Sequence, residues 1–132
     1  MEMKLELVPI PVTDIDRAKA FYTEKIGFNC DHDVQPGNGM RVVQLTPPGS
    51  ACSIVIGTGM GEIDKMKPGS IKALHLAVKD AVKARELLLS KGVDVGEIDE
   101  QPPGIKFVPF SDPDGNLWLL QEMPWRSGEF KD

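Results

Sequence analysis

The feature that most constrains this chain is one pattern that occurs twice. Lys72-Ala73-Leu74-His75-Leu76-Ala77-Val78-Lys79-Asp80 reads as a strand ending in a helix N-cap, and residues 81–91 follow as an amphipathic helix. Half a chain length earlier, Glu6-Leu7-Val8-Pro9-Ile10-Pro11-Val12-Thr13-Asp14 carries the same order, again with a helical run behind it. Val8 falls on Leu74, Ile10 on Leu76, Val12 on Val78, Asp14 on Asp80, Ala18 on Ala84 and Lys25 on Lys91. One copy cannot cover the apolar backs of its own strands, so two copies in a chain are expected to pack together.

The elements between the repeats complete each copy. Val8, Ile10 and Val12 lie on one side of residues 5–12, which predicts a strand. Pro9 and Pro11 each remove a backbone donor, which predicts an edge strand. Asp14 is the expected N-cap of a helix carrying Ile15, Ala18, Phe21, Tyr22 and Ile26, and Gly27 its stop. Residues 28–34, 41–46 and 51–57 read as strands around turns at Gln35-Pro36-Gly37-Asn38-Gly39 and Pro47-Pro48-Gly49-Ser50. The second half repeats this. A strand at 73–78 precedes a helix with Ala81, Ala84, Leu87 and Leu88 expected on its buried face and Gly92 as its stop. Strands follow at 93–98, 105–110 and 116–123, with turns at Gln101-Pro102-Pro103-Gly104 and Asp112-Pro113-Asp114-Gly115. The reading is a single α+β domain over 1–132: a module at about 4–57, a linker at about 58–70 and a module at about 71–124.

Composition excludes several classes of function. A net charge of −5 without a long Lys/Arg cluster argues against a nucleic-acid or anionic-membrane partner. No apolar run approaches the roughly 18 residues of a membrane span. The start, Met1-Glu2-Met3-Lys4, lacks the pattern of a signal peptide, and two cysteines, Cys30 and Cys52, suit a reduced compartment. A soluble cytoplasmic protein is expected.

Two blocks carry a family resemblance. Val12-Thr13-Asp14-Ile15-Asp16-Arg17-Ala18-Lys19-Ala20-Phe21-Tyr22 with Ile26-Gly27-Phe28 is similar to an opening strand-to-helix signature, and Ser111-Asp112-Pro113-Asp114-Gly115-Asn116 to a closing hairpin. Together with the repeat they resemble the vicinal oxygen chelate superfamily, the glyoxalase/bleomycin-resistance/extradiol dioxygenase group. The resemblance implies two tandem βαβββ modules forming a curved mixed sheet, a cup, with helices on its outer face. It also implies a homodimer, with the modules pairing within one chain or across two. Function is left open by such a fold, which hosts isomerases, lyases, dioxygenases and drug-binding proteins.

Members that use a metal hold it at four positions, which the resemblance maps onto Leu7, Gln44, Ala73 and Leu119. These offer one amide oxygen and no imidazole, thiolate or carboxylate, so no cofactor is expected. The alternative is a displaced divalent-metal site on His75, Gln44 and Gln121, His75 sharing the parity of Ala73 and Gln121 that of Leu119. Glu122 has the opposite parity.

His75 is the candidate functional group, as a ligand contact or a general acid/base, against the bland reading of a satisfied core histidine. His32, between Asp31 and Asp33, reads as a solvated surface residue. Gly57-Thr58-Gly59-Met60-Gly61 lacks the Lys-Ser/Thr of a phosphate loop and reads as linker. Asp112 and Asp114 read as turn residues, Cys52 and Trp118 as packing, and Trp125 as a cover for a pocket or a dimer contact. Two functions survive. One is a binder of a small, partly apolar molecule at His75, Gln44, Leu7, Ala73, Leu119 and Gln121, with Leu5, Ala77 and Leu117 adding apolar lining. The other is a glyoxalase- or dioxygenase-like enzyme with a displaced metal, or with metal-free acid/base chemistry at His75.

Overall fold

The computed structural model describes residues 1–131. Their elements are β1 (Leu7–Pro9), α1 (Ile15–Ala20) continued by a π-helical stretch (Phe21–Ile26), β2 (Asn29–Gly37), β3 (Met40–Thr46), β4 (Ser53–Thr58) and a 3-10 turn (Gly61–Lys65). Then come β5 (Leu74–Ala77), α2 (Ala81–Ser90), β6 (Asp94–Val95), β7 (Asp99–Gln101), β8 (Ile105–Ser111), β9 (Leu117–Glu122) and a 3-10 turn (Pro124–Glu129). The chain divides into two compact units, one ending at Ser70 and one starting at Ile71. Each follows the βαβββ order with its own mixed sheet, ordered β1-β4-β3-β2 in the first and β5-β9-β8-β6 in the second, where a short additional strand, β7, also pairs with β8. In both, the first strand runs parallel to the last and the remaining pairs are antiparallel.

The repeated aspartates do the same work twice. Asp14 and Asp80 sit in extended backbone and each accepts a first-turn amide at 3.0 Å, from Arg17 and Lys83. Such a cap is worth about 1 kcal/mol. In the first unit β1 lies at the sheet edge, which accommodates Pro9. Val43 stands opposite Ile56 and Leu45 opposite Ile54, all four buried, and α1 packs against β4. The helix widens to a π turn at Phe21, and the adjacent Phe21 and Tyr22 are both buried. Gly27 ends it at φ 94°, and the amides of Gly27 and Phe28 both reach the Tyr22 carbonyl, at 2.9 and 2.8 Å. A charged clamp closes the outer side of the sheet. Arg41 grips Asp33 with Nε (3.0 Å) and Nη2 (2.9 Å) and Asp16 with Nη1 (2.8 Å), while Lys19 adds a 2.7 Å bond to Asp33.

In the second unit Val108 pairs with Leu120 and Phe110 with Trp118, whose rings stack at 6.0 Å. Trp118 is buried on the opposite parity to Leu119, and α2 packs on β6, β8 and β9. Two expectations are corrected here. Leu87 is 54% exposed rather than buried. The inward stripe of α2 is Ala81, Ala84, Arg85 and Leu88, the i, i+3, i+4, i+7 face of the helix; Leu87 lies about 110° round the axis from the centre of that stripe, and the Arg85 guanidinium donates to the Gly96 carbonyl at 2.8 Å. Of the strand expected at 93–98 only β6 forms, and β7 lies beyond it, ending at Gln101 where the turn was expected to begin. Gly96 donates to the Pro109 carbonyl at 2.8 Å, so close to the neighbouring strand that a Cβ on it would lie 2.6 Å from Pro109 Cγ.

Candidate functional site

Strand register decides which side chains share a face, because residues directly opposite each other point the same way. In the second unit His75 is opposite Leu119 and Ala77 opposite Gln121. Leu119 is opposite Pro109, Gln121 opposite Phe107, and Leu117 opposite Ser111. The face turned away from α2 therefore carries His75, Ala77, Leu117, Leu119, Gln121, Phe107 and Pro109, with His75 and Ala77 exposed. In the first unit Leu7 is opposite Ser53, Gln44 is opposite both Val55 and His32, and Val42 is opposite Val34. His32 shares a face with Gln44 and is exposed, as expected of a solvated surface residue. Leu5 and Leu7 are 73% and 39% exposed.

His75 is held by the backbone. Its Nδ1 lies 2.8 Å from the Ala73 carbonyl oxygen, and a carbonyl only accepts, so Nδ1 carries a proton, and in the uncharged form of the ring Nε2 is the acceptor. The Phe107 ring meets the imidazole edge-on at 5.9 Å. Ala73 has φ 63°, left-handed backbone that a residue with a Cβ adopts rarely. It precedes β5 and donates to the Leu117 carbonyl at 2.8 Å. The alternation read from the sequence therefore does not extend to Ala73, whose role at this face is its carbonyl.

Gln44 stands in a polar cluster that sequence reasoning did not assemble. Its Nε2 is 3.3 Å from Ser53 Oγ, Ser53 Oγ is 2.6 Å from Thr46 Oγ1, and Thr46 Oγ1 donates to the Asp31 carboxylate. Asp31 reaches this face because the β2–β3 register slips between Cys30 and His32, leaving Asp31 as the extra residue of a bulge. Ser53 is 4% exposed. The parity of Ser53 with Val55 was readable, whereas the bulge was not.

The positions where the resemblance expects metal ligands do not suit a divalent cation. Leu7, Ala73 and Leu119 bring no side-chain donor, which leaves the Gln44 amide oxygen as the one donor of the set, where a divalent cation needs several. Among the described residues no group of three His, Cys, Asp or Glu side chains is placed to hold a metal. Glu122 accepts the Ala81 amide at 2.8 Å and pairs with Lys106 at 3.5 Å, on the helix side of β9.

Other motifs resolve into structural roles. The amides of Gly59 and Met60, which a phosphate would need, donate to Asp64 at 2.8 and 3.0 Å. Asp112 Oδ1 accepts the amides of Asp114 and Asn116, each at 2.9 Å, and Oδ2 accepts Asn116 Nδ2 at 2.8 Å. Asn116 Oδ1 in turn accepts the Ile71 amide at 3.1 Å. Cys30 and Cys52 are free thiols, and Trp125 is 62% exposed in the turn after β9. A shallow depression at the β2–β3 turn is lined by Gln35, Gly37, Gly39, Met40, Arg41 and Thr58, and its one ionised group, Arg41, already holds Asp33 and Asp16. Among the described residues no helix is long and apolar enough to cross a membrane.

Known proteins share this architecture. TnmS3, an antibiotic-binding protein from Streptomyces sp. CB03234, is 35% identical with a TM-score of 0.80, over 92% of this chain and 96% of that one. A glyoxalase/bleomycin resistance protein from the same organism is 36% identical with a TM-score of 0.75, over 89% of this chain and 98% of that one. YetH of Bacillus subtilis (strain 168) is 30% identical over 125 residues, 92% of this chain and 100% of YetH. The family model of the Glyoxalase/Bleomycin resistance protein/Dioxygenase superfamily matches residues 4–120, and the chain belongs to that superfamily.

Proposed function

We propose that this protein binds a small, partly apolar molecule without a metal, the Gln44 face of the first unit's sheet and the His75 face of the second unit's sheet each being a candidate surface. The observation that carries this reading is the filling of the family's ligand positions by Leu7, Gln44, Ala73 and Leu119, which replaces a cation-binding set with apolar surface and one amide. His75, fixed by the Ala73 carbonyl and flanked by Phe107, Leu119 and Pro109, is the polar anchor of an otherwise largely apolar face. Similarity to an antibiotic-binding protein supports the same class of ligand. The reading includes a homodimer acting in the cytoplasm. An apolar strip at Met1, Met3, Leu5 and Leu7, leading into edge strand β1, supports a second copy as partner.

The test is native mass spectrometry of the purified protein, followed by calorimetric titration with a panel of small-molecule antibiotics. A co-purifying organic molecule, or saturable binding, supports the reading. Absence of binding across the panel with no co-purifying molecule contradicts it. A second reading rests on the His75 tautomer, since a ring with Nδ1 tied down and Nε2 open can take up a proton during a reaction. Turnover abolished in His75→Ala and not restored in His75→Gln would favour it.

A further inference from the structure

The cluster around Gln44 contains a chain of hydrogen bonds with only one consistent direction. A hydroxyl has one proton to donate. Thr46 spends its proton on the Asp31 carboxylate, which accepts only. Thr46 Oγ1 must therefore accept from Ser53, whose proton covers their 2.6 Å separation. Ser53 Oγ has no proton left for Gln44 and accepts from it, which requires the amide nitrogen on that side, at 3.3 Å. The orientation of the Gln44 amide is thus dictated by a carboxylate three residues away along the chain of bonds. Among the described residues no buried side-chain nitrogen or oxygen lacks a partner, so Gln44 Oε1 is open to solvent on the face it shares with His32 and Val55.

We propose that the Asp31–Thr46–Ser53 chain holds Gln44 as a fixed hydrogen-bond acceptor, so that this face selects ligands carrying a hydroxyl or N–H donor on an apolar frame. Asp31, Thr46 and Ser53 are positioning residues that act through Gln44. The Asp31 carboxylate on the same face works against anionic ligands, which sharpens the same preference. His75 follows the same logic on its own sheet, where Nδ1 donates to the Ala73 carbonyl and Nε2 is the acceptor of the uncharged ring. The inference rests on the small-molecule reading above and adds the chemistry of the ligand.

The test pairs two probes of nearly equal size, 2-naphthol, which donates, and 2-fluoronaphthalene, which does not. Affinities are measured by calorimetry, and the Gln44 side-chain amide is followed by 15N–1H NMR. Wild-type protein is expected to bind 2-naphthol roughly fivefold more tightly, the value of one net neutral hydrogen bond. Gln44→Leu should remove that ratio while keeping the apolar part of the binding. Asp31→Asn is the discriminating variant, because an asparagine amide can donate to Thr46 and let the whole chain reverse, turning Gln44 Nε2 outward. The ratio should then fall toward one and the Gln44 amide resonances should move, as they should in Ser53→Ala. Unmoved resonances and an unchanged ratio in Asp31→Asn and Ser53→Ala overturn the proposal. Equal binding of the two probes by wild type overturns the donor preference alone. Binding of neither overturns it together with the small-molecule reading.

Discussion

Replacing Asp112 by alanine is expected to be among the most damaging single changes in the second unit. Its carboxylate satisfies three donors, the amides of Asp114 and Asn116 and the side-chain nitrogen of Asn116. Asp112 is 5% exposed and Asn116 fully buried, so water cannot readily replace the two bonds to Asn116, whereas Asp114 is half-buried and can recover its own. Leaving a buried donor unpaired costs about 1–3 kcal/mol. Two such donors, with a smaller loss at Asp114, give a destabilisation of about 3–5 kcal/mol, a large share of the ~5–15 kcal/mol that holds a domain of this kind together. The effect should spread, because Asn116 also fixes the Ile71 amide where the second unit begins. Asp112→Asn keeps one carbonyl oxygen for the two backbone amides but turns an NH2 toward Asn116 Nδ2, so it should cost about half as much. Urea denaturation followed by circular dichroism measures both. If both variants unfold within about 1 kcal/mol of wild type, with unchanged slope, the buried network is not what stabilises this hairpin.

Further outcomes follow from the same structure. The Arg41 and Lys19 hydrogen bonds hold the Asp33 carboxyl well below the usual carboxylate range, so Asp33 stabilises the fold above its unfolded value of about 3.9 and that contribution fades as pH falls through the lower folded value. Asp33→Asn should therefore cost about 1 kcal/mol at pH 7, modest because the pair is partly exposed, and the gap to wild type in urea midpoint should narrow as the pH is taken down below 4. Gly96→Ala forces a methyl onto the Pro109 ring and should lose about 1–3 kcal/mol, measured as a lowered thermal midpoint. His75→Ala should weaken binding of a hydroxylated ligand by roughly fivefold through loss of one hydrogen bond, with stability nearly unchanged because the ring is exposed.

Much of the architecture could be read from the sequence because it is written in local signals. The caps at Asp14 and Asp80, the stop at Gly27 and the period-two runs each depend on a few neighbouring residues, and their recurrence half a chain apart gave the two modules. What escaped the sequence is set by neighbours in space. Ala73 is left-handed where its amide meets the Leu117 carbonyl, a strand registered against it through distant residues. The partner of Arg85, the Gly96 carbonyl, lies on a separate strand segment that the helical period of α2 does not reveal. The bulge that delivers Asp31 to Thr46 depends on the β2–β3 register, so the partners of Gln44 could not be assembled from parity alone. Glu122, by contrast, faces the helix side as its parity required.

The central claim, ligand binding without a metal, is tested most directly by calorimetric titration of one antibiotic or naphthol ligand before and after exhaustive dialysis against a chelator, with metal content measured in both samples. The account predicts the same affinity and stoichiometry in the two titrations. Binding that disappears with the metal and returns when Zn, Mn, Fe or Ni is restored would contradict it.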